Sequence, residues 1–93
     1  MIVTYDPRKR ADTLTNRGLD FEDAPYVFAG DIYETEDNRR DYGESRWLTV
    51  GFLNGRLVMV VWTPRGDARH VISMRKCNER ERKKYSRELG RSG

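Results

Sequence analysis

The chain has 93 residues, 37% hydrophobic and 35% charged, with a formal net charge of +3, which supports one compact core and is too charged for a membrane span. A single cysteine, Cys77, and a single histidine, His70, exclude an internal disulfide and a Cys/His metal cluster, so a reducing cytoplasm and no cofactor are expected. Charge is segregated: residues 1–63 carry 8 Lys/Arg against 11 Asp/Glu, a balance of −3, and residues 64–93 carry 10 against 4, a balance of +6, so the last third suits a polyanion or, equally, a solvated basic helix.

In chain order, Met1 to Asp6 lacks the basic-then-apolar pattern of a signal peptide, and Ile2 to Tyr5 reads as a strand. Asp6-Pro7 supplies an N-cap carboxylate and a proline at the first helical position, so a helix is expected from Pro7 to Arg17, closed by Gly18. Ala11 and Leu14, with Leu19 and Phe21 beyond the end, would supply its apolar contacts. A second helix is expected over Glu22 to Phe28, ended by Gly30, with Pro25 in its first turn. Ile32 to Thr35 is a strand candidate within an acidic stretch. Trp47 to Leu53 and Arg56 to Thr63 are β-branched and aromatic runs joined by Asn54-Gly55, a hairpin signal. Leu57 to Trp62 is apolar throughout, as a central strand would be. After the turn Pro64 to Asp67, Arg69 to Met74 should be a strand antiparallel to the previous one. Asn78 and Glu81 form a capping-box pattern for a last helix to about Leu89. The expected order is β-α-α-β-β-β-β-α: one α+β domain over residues 1–93, its antiparallel meander covered by the N-terminal helices.

Alternation along the last strand puts His70, Ile72 and Met74 toward the core and Arg69, Val71, Ser73 and Arg75 on the open face, where a phosphate backbone can lie. Trp47 either stacks on bases from that face or packs under a helix. The final helix, Glu79 to Leu89, has only Tyr85 and Leu89 as apolar anchors and a largely cationic surface that includes Arg82 and Lys83, a pattern that fits an interaction helix and equally a frayed, solvated one.

From Asp41 onward the residues match a known pattern. Asp41-Tyr42-Gly43-Glu44-Ser45-Arg46, the hairpin, His70-Val71-Ile72-Ser73-Met74-Arg75-Lys76, and Asn78-Glu79-Arg80-Glu81 followed by Tyr85 resemble the BrnT family of toxins. Tyr5-Asp6-Pro7 with Lys9, and Gly18-Leu19-Asp20-Phe21-Glu22-Asp23-Ala24, resemble that family's opening segments. The resemblance implies a RelE-like fold. It also implies the ribonuclease half of a type II toxin–antitoxin pair, active without a metal and inhibitory to translation. The implied partners are RNA as substrate and a BrnA-like antitoxin in a heterotetramer, with operator DNA bound only through the antitoxin and no membrane association. Two departures stand out: Asn16-Arg17 replaces the Lys-His common before the glycine, and Cys77 replaces alanine. Arg17 retains a phosphate contact but cannot shuttle protons.

Attack of a ribose 2′-OH on the adjacent phosphate needs a base, cations for the phosphorane and charge neutralisation at the leaving 5′ oxygen. Arg46, Arg75 and Lys76 are the candidates for charge stabilisation, and Arg17, Trp47, Arg69, Arg82 and Lys83 for RNA binding. Lys9 or Lys76 would serve as base with a lowered pKa, Tyr85 assisting. His70, expected to face the core, is structural on that placement; on the other face it becomes the leading base. Without the family histidine, a non-catalytic nucleic-acid-binding or regulatory module is the alternative.

Overall fold

The computed structural model describes residues 1–89. Its elements are β1 (Ile2–Tyr5), α1 (Pro7–Arg17), a 3₁₀ turn (Phe21–Asp23), α2 (Ala24–Ala29), β2 (Ile32–Glu36), β3 (Trp47–Leu53), β4 (Arg56–Arg65), β5 (Ala68–Lys76) and α3 (Glu79–Glu88). The architecture is α+β, with one five-stranded sheet in the order β1-β5-β4-β3-β2. β2 to β5 form an antiparallel meander, but β1 joins the outer edge of β5 in parallel, with Ile2 opposite Ala68 and Tyr5 opposite Val71. The sheet is therefore mixed, not wholly antiparallel, because the meander leaves the far edge of β5 open and β1 fills part of it.

Local chemistry explains most boundaries. The Asp6 carboxylate accepts from the Arg8 N–H, and Gly18 caps α1 with φ 69° while donating to the Leu14 carbonyl. Asn54 and Gly55 both have positive φ, 52° and 78°, as a tight hairpin turn with strand-matched twist requires. The segment expected to be one helix from Glu22 is split: Asp20 caps a 3₁₀ turn, and the α-helix starts at Ala24 with Pro25 in its first turn. β4 runs through Pro64, which the sequence placed in a turn. Its β3 neighbour ends at Trp62, so Pro64 occupies an edge position where a missing N–H is harmless.

Two cores lie on opposite faces of the sheet. The first holds Leu19, Phe21, Ala24, Val27 and Phe28 against Val58, Val60, Trp62, Val71 and Met74. The second holds Val50, Leu57, Met59 and Cys77 under Tyr85 of α3. Burial on both faces explains why β4 is apolar at every position from Leu57 to Trp62. α1 differs from expectation: it has no buried residue, and Leu14 is 44% exposed. Polar contacts hold it in place, with the Arg10 guanidinium on Asp20 at 2.7 Å and Arg17 Nη1 donating to the Met74 carbonyl at 2.9 Å.

The face assignment of β5 is corrected by a bulge. Val61 pairs with Ser73 but Trp62 pairs with Val71, leaving Ile72 as an extra residue. Alternation resets there. Val71 and Met74 both enter the first core, and His70, Ser73 and Arg75 face the other way. Arg69 and Arg75, expected side by side on one open face, end up on opposite faces.

Candidate functional site

β1 stops at Tyr5, so β5 beyond Val71 has no strand on its outer side. α1 runs beside that free edge, and between them lies a concavity of about 250 Å³ lined by Lys9, Thr13, Asn16 and Arg17 of α1 and by Ile72 and Ser73 of β5. Lys9, Thr13 and Asn16 are spaced to share one helix face. Because no residue of α1 is committed to a core, that face remains polar. Asp12 is the one carboxylate in the lining.

His70 stands beside this edge. Val3 and Tyr5 pack toward the first core, which turns Thr4 to the opposite face, where its Oγ1 lies 2.9 Å from His70 Nδ1. The imidazole is half-buried. Burial, then the Arg65 cation and, more weakly, Lys9, hold its pKa below the ordinary histidine value, while Glu44 and Asp6 pull the other way. The ring is therefore neutral near pH 7. When Nδ1 carries the proton and donates to Thr4, Nε2 is left as an acceptor. Across the strand pair, Thr63 donates to the Ser45 carbonyl at 2.6 Å and tethers the end of the long β2–β3 loop next to His70.

The remaining candidates are dispersed. Arg69 is enclosed on the α2 face: its guanidinium lies 4.4 Å from the ring centres of both Phe28 and Trp62 and 2.9 Å from Glu34. Glu34 also accepts from Thr49, which accepts from Trp62 Nε1, closing a network beneath α2. Trp47 is stacked on Trp62 with ring centres 6.2 Å apart, so it packs against the first core and is not displayed on an open basic face. Tyr85 is 8% exposed and tilted over Tyr33. Arg75 makes a two-pronged ion pair with Glu81, both contacts 2.7 Å. Arg46 lies 4.1 Å over the Tyr42 ring, and its Nε is buried with no hydrogen-bond partner among the described residues. Lys76 and Arg82 share a different concavity at the hairpin end of the sheet. Lys83 sits on the outer surface of α3, 3.7 Å from Glu79.

Of the sequence candidates, the structure thus brings Lys9 and Arg17 together and adds Ser73 to the same lining, with His70 outside it but within the electrostatic reach of Lys9. Thr4 and Arg65 escaped sequence reasoning. A period-two reading cannot anticipate a bulge, and the parallel pairing that sets Thr4 against His70 joins residues 66 positions apart. Among the described residues, no group of three or more His, Cys, Asp or Glu side chains is placed to hold a metal ion, and no helix is long and apolar enough to cross a membrane.

A family model described as the ribonuclease toxin, BrnT, of type II toxin–antitoxin systems matches residues 5–81. No curated protein matches the chain.

Proposed function

The chain belongs to the BrnT family of ribonuclease toxins of type II toxin–antitoxin systems, and from that premise we propose that it is a metal-independent endoribonuclease whose acid–base centre is His70 of β5, opposite Thr4 of β1. The observation that carries the proposal is the His70–Thr4 pair: a single imidazole, neutral and oriented, close enough to Lys9 for that cation to lower its pKa, while Lys9 and Arg17 share the neighbouring concavity. In this reading Nε2 accepts the 2′-hydroxyl proton as the 2′ oxygen attacks phosphorus. Lys9 and Arg17 neutralise the phosphorane, and the P–O5′ bond breaks to leave a 2′,3′-cyclic phosphate and, after protonation, a 5′-hydroxyl. The imidazole of the family's Lys-His pair is absent at Asn16-Arg17, and His70 is a chemically competent replacement. Arg46, Arg75 and Lys76 stand apart from this centre, over Tyr42, on Glu81 and in the hairpin concavity respectively. Cleavage of RNA by this route would inhibit translation until a BrnA-like antitoxin covers the surface, and the mixed sheet with its flanking helices is compatible with a RelE-like relationship.

Expression of the chain alone is expected to arrest bacterial growth with RNA fragments ending in cyclic phosphate, and His70→Ala to abolish both, with an unchanged circular-dichroism spectrum. A general base titrating below the ordinary histidine pKa of about 6.5 predicts that cleavage falls on acidification only below that pH. Normal growth with intact RNA at confirmed expression would sink the proposal. Salt-sensitive RNA binding without cleavage would favour a non-catalytic module.

A further inference from the structure

At the end of the sheet remote from His70, the hairpin turn and the start of α3 enclose a second concavity, of about 340 Å³. Its floor is formed by Phe52, Leu57 and Cys77, and its rim by Arg56, Lys76 and Arg82. Burial pushes the Cys77 thiol up to about 11, so the floor carries no charge. No carboxylate lines the concavity, and among the described residues none of the three rim cations forms an ion pair. This contrasts with Arg10, Arg39, Arg69 and Arg75, each held by an Asp or Glu within 3 Å. Three unopposed cations around an apolar floor suit a ligand that alternates anionic groups with flat apolar bodies, as successive nucleotides do.

Position along the chain fixes the relation to the proposed centre. His70 and Lys76 lie on one strand, six residues and therefore about 20 Å apart. We infer that the concavity of Arg56, Lys76 and Arg82 is a remote subsite for single-stranded RNA. It takes one base on its floor and the flanking phosphates on its rim, and selects substrates that extend several nucleotides beyond the cleaved bond. The inference rests on the His70 reading for its substrate, but its test does not depend on cleavage.

The test measures binding of 2′-O-methyl RNA, which cannot be cleaved, in two lengths: a dinucleotide and a strand of roughly ten nucleotides, within the site sizes usual for single-strand binders. Arg56→Glu is expected to weaken binding of the longer strand by about tenfold or more at low salt. It should also make the slope of log K against log salt shallower by about 0.7 for each phosphate that the variant no longer neutralises. Arg56→Lys should bind nearly as the wild type, and cleavage of a dinucleotide should be the same in all three proteins. Longer-strand affinity unchanged by Arg56→Glu, or no wild-type preference for the longer strand, overturns the subsite. So does an Arg56→Glu protein that binds both RNAs normally but has lost affinity for the antitoxin, since the concavity is then a protein-docking surface. A wild-type protein that cleaves nothing yet shows the Arg56 effect refutes the His70 centre and leaves the subsite standing.

Discussion

Glu81 performs two tasks with one carboxylate. Oε1 accepts the Asn78 backbone N–H at 3.0 Å, completing the capping box of α3, and both oxygens hold the Arg75 guanidinium at 2.7 Å. The Arg75 contact, chiefly, lowers the Glu81 pKa to about 2. A carboxylate whose folded pKa is depressed contributes stability that is present above its unfolded pKa of about 4.3 and disappears as pH falls toward the folded value. Glu81→Gln keeps the cap hydrogen bond and removes the charge. Because the Arg75 side chain is 40% exposed, solvent screening limits the expected loss to about 1 kcal/mol at pH 7. In urea denaturation the two proteins should converge between roughly pH 4.3 and pH 2; a gap that persists at pH 2 would locate the effect elsewhere. Single residues with local chemistry were legible in the sequence, including Asp6, Gly18, Asn78 and Glu81. The facing of His70 and Arg69 was not, since one inserted residue, Ile72, reverses the alternation and nothing in its side chain announces it. Tyr85 was legible as an apolar anchor of α3, but its partner across the second core, Tyr33, was not, because that residue lies in a distant strand.

Between elements, α2 packs close against β3 at Gly51. At Gly51 an added Cβ would sit 3.0 Å from Val27 Cγ1, 3.0 Å from Ile32 Cγ2 and 3.3 Å from the Asp31 carbonyl oxygen. Glycine is required there by space. Gly51→Ala should force α2 away from the sheet and loosen the packing of Val27, which is fully buried in the first core. Overpacking of this kind costs about 1–3 kcal/mol, read as a lower midpoint in thermal or urea unfolding; unaltered stability would mean that α2 shifts without penalty. The same displacement would disturb Arg69, held between Phe28 of α2 and Trp62. α1, the hairpin and α3 could be read from caps, turn residues and periodicity because those signals are local. The parallel attachment of β1 to β5 could not, since it depends on which edge the finished meander leaves unoccupied. That attachment, ending at Tyr5, creates the free edge on which the α1 concavity depends.

Across the whole molecule, the +6 balance of residues 64–93 resolves into two surfaces. One lies at the Lys76 end of β5, where Lys76 and Arg82 rim the hairpin concavity, since Arg69 and Arg75 farther along the strand are each neutralised by a glutamate. The other is the outer side of α3, whose inner side is fixed by buried Tyr85 and Ser86. Arg80, Lys84 and Arg87 are exposed at helical spacing on that outer side and form no ion pair among the described residues. A family defined as one half of type II toxin–antitoxin pairs implies an antitoxin partner, and a stripe of solvated cations recognises a partner of opposite charge chiefly through association rate and selectivity. The stripe lies on α3 and His70 on β5 beside β1, and charges farther apart than a Debye length of about 8 Å at physiological salt barely interact, so reversing the stripe should leave cleavage at the proposed His70 centre untouched. The variant carrying Arg80→Glu, Lys84→Glu and Arg87→Glu is accordingly expected to bind the antitoxin about tenfold more weakly at low salt, mostly through slower association, and to lose much of the salt dependence of that association. Dinucleotide cleavage by the free toxin should be unchanged. An antitoxin complex of undiminished affinity and salt dependence would show that neutralisation uses the β5 surface alone, placing antitoxin and RNA in direct competition for the same cations.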